Sequence, residues 1–328
     1  MINKKIIHTA ILIPLYNDWQ SLFDLLNGID RILSGLNRKT TIYISDDHSS
    51  VDYIGFVQKL KKKSFVNIEA LKVIRLRRNM GHQGAIAVGI CHIVSQKKED
   101  CILIMDADGE DKPEDIPRLL SRMEETGGHS IVFAERRKRN ENIFFKMMYR
   151  VFQFINYLMT GFQMDIGNFS VISSSVAHSL IAYPELWSHY SATVIKSKTS
   201  FVKIPCDRGT RIDGKSKMSM ISLVLHGLSC ISVFAPVVGA RMLLTVSFVL
   251  LLFFLGIPVI FWIRFFSDMA IPGWATYTTG ILVLFIFQLL GMSFIFVFFI
   301  LNGKNPSQFL PEHNYKYFTE YYKIIWRK

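Results

Sequence analysis

The acidic segment MDADGEDKPED at residues 105–115 carries the side chains most suited to chemistry. Asp106 and Asp108 directly follow an apolar run, and Glu110 and Asp111 come close behind. Carboxylates this close repel one another, which raises their pKa values unless a cation neutralises them. Mg²⁺ and Mn²⁺ suit such a site, because they bind through one or two carboxylates together with diphosphate oxygens. An Asp-rich turn can also be a plain helix cap, so both interpretations stand at this point.

Other polar residues stand at the ends of neighbouring apolar runs. Pro14 and Tyr16 close the first run and could form a wall beside a nucleobase. After the second run Asp47, or less readily Asp46, could accept a hydrogen bond from a base N–H, although each could instead cap the next helix. Gly81 opens the helical pattern after the third run, where the missing side chain permits close backbone approach. The spacing there is not GxGxxG, so no dinucleotide site is indicated.

These residues share a position because short apolar runs alternate with helical patterns through the first 135 residues. The runs are rich in β-branched residues, as buried parallel strands are, and span 10–16, 41–45, 71–76, 101–106 and 130–135. Helical spacing occurs near residues 19–35, 51–63, 82–96 and 113–126. The alternation predicts an α/β fold with a doubly wound, mostly parallel sheet. Ligands of such sheets bind beyond the carboxyl ends of the strands, where these polar residues are expected.

The pattern loosens after residue 135. Arg136 and its basic neighbours lead into an aromatic helical segment at 143–160, and the turn that follows contains Asp165 and Asn168. A last strand is predicted at 200–205, and it runs into a polar, basic loop. This loop is the last polar stretch before the chain becomes strongly apolar.

The C-terminal third of the chain has the composition of a membrane anchor. Residues 218–240 are apolar but interrupted by serines and a histidine, which predicts an amphipathic helix in the membrane interface. Two apolar spans follow at 242–263 and 275–301, each at least as long as the roughly 20 residues needed to cross a bilayer. The linker between them is too short for a domain. We therefore expect residues 241–303 to form a hairpin of two transmembrane helices.

Positive charges predict the side on which this hairpin begins and ends. Arg241 precedes the first span, and residues 304–328 form a tail rich in lysine and arginine. Such residues are enriched in cytoplasmic segments next to membrane spans. We expect a multi-pass protein of the inner (cytoplasmic) membrane, with a catalytic domain at 1–217 in the cytosol.

Composition limits the classes of partner. The net charge of +12 over 328 residues fits a phosphorylated substrate, an acidic membrane surface or nucleic acid. We discount nucleic acid, because no basic helix with interleaved aromatic residues precedes the membrane segment. The four cysteines have no CxxC spacing, which indicates a reducing compartment and no zinc site.

Taken together, the motifs resemble the family 2 glycosyltransferases, which have the GT-A fold. The matching segments, in the order that the family has them, are IPLYND, SDDHSS, RNMGHQGAIAVG, MDADGEDKPE, AERR and RIDGKSKM. The nearest type resembles the polyprenyl-phosphate glycosyltransferases, which include dolichol-phosphate mannose synthases and bacterial enzymes that load undecaprenyl phosphate. The two C-terminal spans also match the layout of the bacterial members. The resemblance implies a nucleotide-sugar donor and a lipid-phosphate acceptor.

The resemblance also implies roles by position. Residues implied to bind substrate are Pro14, Tyr16, Asp46, Asp47, Gly81, Asp106, Ala107, Arg136, Arg208 and Ser216. Those implied to surround the Mg²⁺ or Mn²⁺ ion are Asp106, Asp108 and Glu110. Those implied to act in the reaction are Asp108, Asp165, Asn168, Arg211 and Lys217. Arg211 and Lys217 would close over the diphosphate, since a basic loop beside a membrane helix can hold the anions of both substrates.

One loop departs from the pattern of the family. Asn168 and Ser170 stand where many relatives have an acid and an arginine. A lipid phosphate is already anionic near pH 7 and can attack without a strong general base, whereas a sugar hydroxyl needs one. Loss of an acid at 168 therefore favours a phosphate acceptor, although Asp165 is close enough in sequence to substitute.

The sequence thus predicts an inverting sugar transfer from a nucleotide-sugar to a polyprenyl phosphate such as undecaprenyl phosphate. One alternative is transfer to a sugar hydroxyl of a lipid-linked glycan during surface polysaccharide assembly. Another is a catalytically silent GT-A domain acting as a scaffold subunit, against which the intact acidic cluster argues. The sequence is compatible with a homo-oligomer.

Overall fold

The computed structural model describes residues 7–51, 53–136, 143–207, 209, 211, 220–266, 273–302 and 309–328. Packing divides the chain into two units. The first comprises the described parts of Met1–Arg150, Met164–Val233 and Ser307–Lys328, and the second those of Val151–Gln163 and Phe234–Pro306. The eight described strands all belong to the first unit, and the two long apolar helices belong to the second.

The first unit is built on one mixed sheet. Its strands are β1 (Ile7–Leu15), β2 (Arg38–Asp46), β3 (Ile68–Leu76), β4 (Cys101–Ile104), β5 (Ile131–Arg136), β6 (Ser170–Ser173), β7 (Phe201–Cys206) and β8 (Thr319–Arg327). Their spatial order is β7-β5-β6-β4-β1-β2-β3-β8. The four strands β4, β1, β2 and β3 are parallel, as are β5 and β7, whereas β6 and β8 run antiparallel to their neighbours. The predicted mostly parallel sheet of GT-A type is confirmed.

Two strands were not predicted from the sequence. β6 has only four residues, of which two are serines, so it lacks the apolar run that marks the other internal strands. β8 lies within residues 304–328, which we expected to be a basic tail. That expectation needs correction, because β8 pairs with β3, Ile325 and Trp326 pack into one core of the sheet, and Tyr322 packs against the other.

Helices connect the strands. They are α1 (Trp19–Leu33), α2 (Tyr53–Lys62), α3 (Gly81–Gln96), α4 (Ile116–Glu125), α5 (Ile143–Thr160), α6 (Ser174–Leu180), α7 (Tyr190–Lys196), α8 (Met220–Ser232), α9 (Ala235–Phe266), α10 (Trp274–Asn302) and α11 (Pro311–Phe318). The first four lie within one or two residues of the positions predicted from helical spacing, apart from α4, whose first turn is a separate 3₁₀ turn at Pro113–Asp115.

Both faces of the sheet are covered, which explains why its central strands are continuously apolar. On β1, Ile11 and Ile13 point into a core shared with α1, α2 and α4. Leu12, between them, points into a second core, which contains most of α3. Because successive side chains of a strand face opposite sides, a strand buried on both sides must be apolar throughout. Polar side chains that could bind a ligand are therefore expected at the ends of the strands.

The second unit contains two helices, α9 and α10, that are long and apolar enough to cross a membrane. They include the predicted spans, and they pack on each other with the Phe253 and Phe285 rings 5.9 Å apart. The part of α5 that belongs to this unit is inside out. Asn156 and Thr160 are buried, whereas Phe154 and Leu158 are about two-thirds exposed at 66% and 63%. Such a pattern fits an apolar rather than an aqueous surrounding.

We had expected the segment 218–240 to form one interfacial helix, but the structure divides it between two helices. Within its described residues the chain forms α8, turns at Val233 and Phe234, and then begins α9 at Ala235. The first residues that we assigned to the interface therefore belong to α8, and the last ones are the opening turns of α9. The apolar sequence is continuous across the turn, so hydropathy alone could not reveal it.

One carboxylate holds the start of β3 to the end of α1, and its removal should destabilise the sheet. Asp30 accepts the backbone N–H groups of Val66 (3.1 Å), Asn67 (2.8 Å) and Ile68 (3.1 Å). We expect Asp30→Ala to cost about 1–3 kcal/mol, because three backbone donors, two of them partly buried, lose their acceptor. Thermal unfolding of the purified full chain tests this, with Asp24→Ala on the exposed side of α1 as control. Equal melting temperatures for the two variants would contradict it.

Candidate active site

The carboxyl ends of β1, β2 and β4 meet at one edge of the sheet. β1 pairs with both β2 and β4 in parallel register, so the residues that follow each strand lie side by side. Pro14 is the second-last residue of β1, and half-exposed Tyr16 follows that strand directly. This edge therefore collects the nucleotide-site candidates and the acidic turn, as the doubly wound topology requires.

The acidic turn is shaped by its own backbone. The Asp106 N–H donates to Asp111 Oδ2 at 2.9 Å, and the Glu110 N–H donates to Asp108 Oδ1 at 3.0 Å. Asp111 is 2% exposed, so its carboxylate stabilises the turn from inside. Ala107 is also buried and turns its side chain away from solvent. The side chains of Asp106 and Asp108 remain partly exposed, at 24% and 17%.

The electrostatics of this turn fit a cation. Burial raises the pKa of Asp108, and the charges of Asp106 and Glu110 raise it further, while the Glu110 N–H and Arg211 lower it. Burial is the main cause of the rise, and the two neighbouring carboxylates add to it because like charges disfavour the ionised form. In the described part of the chain no three metal-ligating side chains are grouped to hold an ion by themselves. Two carboxylates nevertheless suffice for Mg²⁺ or Mn²⁺ when a diphosphate supplies further oxygens.

The described residues of the basic loop lie against the acidic turn. The Gly209 N–H donates to the Glu110 carbonyl at 2.8 Å. Arg211 NH2 is 3.5 Å from Asp108 Oδ2 and 3.9 Å from a carboxylate oxygen of Asp18, which follows β1. Arg211 therefore lies beside the acidic turn, and its contact with a diphosphate stays a prediction. Arg208, Ser216 and Lys217 lie outside the described residues, as does the side chain of Arg136 at the end of β5.

The two aspartates after β2 have different environments. Asp46 is fully buried, accepts the Ser49 N–H at 3.0 Å and pairs with Arg75 at 2.5 Å. Asp47 is 3% exposed and accepts the Met80 N–H at 2.6 Å, next to Gly81 at the start of α3. Both carboxylates therefore hold backbone in place. Asp46 closes a turn before α2 and Asp47 holds the start of α3, so neither of these contacts caps the helix that follows β2, and a base contact by Asp47 stays a prediction.

Asn168 is part of the site through a residue that sequence reasoning missed. The Asn168 amide nitrogen lies 3.0 Å from His82 Nε2, and that nitrogen lies 3.2 Å from Asp106 Oδ1. Gln83 donates to Asn168 Oδ1 at 3.3 Å, which fixes the orientation of the amide. Burial lowers the pKa of His82, but the carboxylates of Asp106, Asp111 and Asp108 outweigh it and the pKa is raised. The signal available in the sequence was the position of His82, directly after Gly81.

Asp165 has a different environment from Asn168. Its carboxylate forms an ion pair with Lys203 of β7, which also lies 3.8 Å from Glu135. No described contact connects Asp165 to Asp106 or Asp108. This ion pair holds Asp165 at β7.

A pair of histidines joins α7 to α8. His189 caps the start of α7, where its Nδ1 accepts the Ala192 N–H at 3.3 Å. The ring of His226 on α8 lies 4.6 Å from the His189 ring, centroid to centroid. Burial lowers the pKa of His226, His82 lowers it further, and Asp106 raises it. His226 is thus near enough to the acidic turn to respond to its charge.

Fold and site together define a glycosyltransferase of the GT-A type. The model of the family described as "Glycosyl transferase family 2" matches residues 10–180, just over half of the chain. The chain belongs to this family.

Similar proteins include two undecaprenyl-phosphate 4-deoxy-4-formamido-L-arabinose transferases of Klebsiella pneumoniae. One, from the subspecies pneumoniae, is 29% identical over 220 residues, which cover 66% of this chain and 64% of that protein. The other, from strain 342, is 28% identical over 302 residues, covering 87% of this chain and 84% of that protein. Several relatives of the same name are matched, like the first, over about 64% of their length. The resemblance to polyprenyl-phosphate glycosyltransferases is confirmed.

A solved structure supports the fold. Glucosyl-3-phosphoglycerate synthase from Mycobacterium tuberculosis, crystallised with Mn²⁺, uridine-diphosphate-glucose and phosphoglyceric acid, superposes with a TM-score of 0.51. Its sequence identity to this chain is 11%, and the match covers 71% of this chain and 80% of that one. At this identity the likeness concerns the course of the chain alone.

The contact of the basic loop with the acidic turn requires glycine at position 209. A Cβ there would lie 2.4 Å from the Gly109 carbonyl oxygen and 3.2 Å from that of Glu110, both of which are rigid backbone atoms. We expect Gly209→Ala to move Arg211 away from Asp108 and to lower sugar transfer by about 10²-fold. Gly35→Ala is the control, since a Cβ at that position meets no atom within 4 Å. Equal transfer rates at equal melting temperatures would contradict the expectation.

Asp47 gives the protein a pH-dependent stability. Burial raises the pKa of Asp47 from 3.8 to about 6, although the Met80 and Gly81 N–H groups lower it and Asp46 raises it. Because the folded state binds this proton more tightly than the unfolded chain, stability is lost as pH rises from about 4 through 6. Asn keeps the acceptor oxygen without the charge, so Asp47→Asn should gain up to about 3 kcal/mol relative to wild type above pH 7.

Melting temperatures at pH 4.5 and 7.5 check this prediction. The variant should melt above the wild type at pH 7.5, and the difference should shrink at pH 4.5. Asp24→Asn on exposed α1 controls for the substitution itself. A difference that does not change with pH would show that the charge of Asp47 is not the cause.

Proposed function

We propose that the protein is a membrane-anchored glycosyltransferase that moves a sugar from a nucleotide-sugar to a polyprenyl phosphate, with inversion. The observation that carries the proposal is the opposition of Arg211 and the Asp106–Asp108 turn at the carboxyl edge of the sheet, at 3.5 Å from Asp108. A turn with excess negative charge beside a guanidinium suits a diphosphate that is bound together with a divalent cation. The names of the Klebsiella relatives support undecaprenyl phosphate as the acceptor.

On the donor side we assign the two open carboxylates to Mg²⁺ or Mn²⁺. Asp106 and Asp108 would hold the ion, and Glu110 is a further candidate. When bound, the ion supplies positive charge to the departing nucleoside diphosphate. Arg211 contributes a second cation, and we propose Arg136, Arg208, Ser216 and Lys217 as further contacts of the phosphates. The Mn²⁺ and uridine-diphosphate-glucose of the Mycobacterium tuberculosis structure agree with such a site.

On the nucleoside side we propose the surface between the loops after β1 and β2. Tyr16 is 44% exposed and can pack its ring against a base, and Pro14 stiffens the strand end behind it. Asp47 and Gly81 would contribute backbone and carboxylate groups at the start of α3. The buried state of Asp46 argues for a role in shaping this surface rather than touching the base.

The acceptor loop favours a phosphate nucleophile. Of the two candidates for a general base, Asn168 has an amide and Asp165 is paired with Lys203. The His82 imidazole is held between Asp106 and Asn168. A phosphate oxygen needs no deprotonation near pH 7, whereas a sugar hydroxyl does. In the proposed reaction it attacks the anomeric carbon from the face opposite the departing diphosphate, which inverts the configuration.

Apolar surfaces supply a route for the lipid. Val224, Leu225 and Leu228 of α8 are each more than half exposed, and they form one face of that helix. We propose that α8 and the inside-out part of α5 lie in the membrane interface, and that α9 and α10 cross the inner membrane. The sheet domain would then face the cytosol, where nucleotide-sugars are available.

Replacing one carboxylate tests the donor half of the proposal. Asp108→Ala should reduce transfer by at least about 10²-fold, because the leaving diphosphate loses the ion that would offset its charge and hold it in position. Asp165→Asn, which removes a carboxylate from the loop before β6, should keep the transfer rate within about threefold of wild type. Membranes that contain each variant are incubated with radiolabelled nucleotide-sugars and Mn²⁺. Full turnover by folded Asp108→Ala protein would refute the donor assignment.

The lipid product distinguishes the proposal from its alternatives. A radiolabelled sugar on a lipid that is released by mild acid supports transfer to a polyprenyl phosphate. A lengthened lipid-linked glycan would instead show a sugar hydroxyl as acceptor. If no nucleotide-sugar with Mn²⁺ shifts the melting temperature and no lipid is labelled, the domain is a silent scaffold.

A further inference from the structure

The strand β8, which follows the two apolar helices in the chain, completes the sheet beside the nucleotide loops. β8 runs antiparallel to β3, with Leu76 opposite Thr319 and Arg75 opposite Tyr321. Backbone hydrogen bonds extend the pairing at both ends, from Arg77 N to Phe318 O at 2.8 Å and from Lys328 N to Glu69 O at 2.9 Å. β8 therefore covers the free edge of β3 along its whole length.

Arg75 joins β8 to the loop after β2. Its Nε lies 3.3 Å from a Glu320 carboxylate oxygen, and its NH1 lies 2.5 Å from Asp46 Oδ2. Its NH2 donates to the Ser49 carbonyl at 3.1 Å. The guanidinium is planar and its donors are fixed in direction, so holding any two of these acceptors sets the place of the third.

The loop that Arg75 holds has an unusual backbone. His48 has a φ of +58°, a value that costs energy for a residue with a side chain, and its Nδ1 lies 3.1 Å from the Leu76 carbonyl. Asp46 Oδ1 accepts the Ser49 N–H at 3.0 Å, which closes the turn. A conformation of this kind persists only when surrounding contacts over-determine it. Arg75, through Asp46 and Ser49, supplies two of these contacts.

The same loop carries the neighbouring loop after β1. Ser49 Oγ accepts the Asn17 N–H at 2.9 Å, and Asn17 Oδ1 accepts the N–H groups of Ser50 (2.9 Å) and Val51 (3.1 Å). Asn17 itself has a φ of +55°, which asparagine tolerates better than most residues. The loops that bear Tyr16 and Asp47 are thus one hydrogen-bonded body. A shift at Arg75 is transmitted to both walls of the nucleoside surface.

We propose that Arg75, oriented by Glu320 of β8, is a positioning residue for the nucleotide donor. The inference rests on the proposed function, because it takes the loops after β1 and β2 to be the nucleoside surface. Neither residue touches the donor; both act through the shape of these loops. The strand that completes the nucleotide site therefore lies after the two apolar helices in the chain.

Nucleotide affinity of the full chain in detergent tests the proposal. UDP, GDP, CDP and ADP are titrated with Mn²⁺ against wild type, and the tightest binder is used for the variants. Arg75→Lys keeps the charge but loses the three-way fork, so its Kd should rise about tenfold. Glu320→Gln should raise it about two- to threefold, because Glu320 is 46% exposed at its side chain and Arg75 keeps Asp46. In turnover assays the donor KM should rise while kcat and the acceptor KM stay.

A double-mutant cycle separates positioning from plain stability. Since Glu320 acts through Arg75, Glu320→Gln should have no further effect on Kd in the Arg75→Lys background. Glu69→Gln is the matched control on the opposite end of β3, where Glu69 lies 4.0 Å from Lys39, and it should leave Kd unchanged. A merely structural role would lower the melting temperature of the nucleotide-free protein and leave Kd unaltered.

The outcomes distinguish this inference from the proposed function. If wild type binds none of the four nucleotides, the proposed function fails and the inference fails with it. If wild type binds and Arg75→Lys binds equally well, the inference alone is wrong. Additive effects of the two substitutions would also overturn it, because they would show that Glu320 acts by another route.

Discussion

Repulsion among carboxylates is the constraint on which the active edge depends. Asp106, Asp108, Glu110 and Asp111 lie within six residues, and the turn survives because backbone N–H groups satisfy two of them. The remaining charge is only partly offset by Arg211 at 3.5 Å, and the His82 ring lies 3.2 Å from Asp106. An arrangement of this kind is stable enough to fold and still favours a cation, which is what a site for a metal-bound diphosphate requires.

The antiparallel direction of β6 explains why the loop that contains Asn168 lies at the same edge of the sheet as the acidic turn. Ser170, its first residue, pairs with Ile104, the last residue of β4. The amino end of an antiparallel strand lies at the carboxyl ends of its parallel neighbours. Asn168, two residues before β6, is therefore placed beside Asp106 by topology and held there by Gln83. Had β6 been parallel, the same loop would lie at the opposite edge of the sheet.

The sequence predicts well what repeated burial enforces and poorly what single contacts decide. β1 to β5 and their helices follow from apolar runs, because a sheet covered on both faces leaves no other pattern. β6 has only four residues, too few to show an apolar run, whereas β8 is rich in tyrosine, isoleucine and tryptophan and was missed because its segment was interpreted from its positive charges. In the site, Asp106, Asp108 and Arg211 followed from charge and motif order. His82 and Arg75 did not, since a lone histidine or arginine acquires its role only from the partners that the fold brings to it.

The return of the chain to the sheet constrains the path of the apolar helices. The chain leaves the first unit, which contains the sheet, after Val233, and its described residues return to that unit at Phe309. There β8 is hydrogen-bonded to β3. A chain that leaves a folded domain and rejoins it must cross any bilayer an even number of times. Two crossings by α9 and α10 satisfy this condition, whereas one crossing would place β8 on the wrong side. This argument is independent of the positive charges that flank the helices, and both support the proposed hairpin.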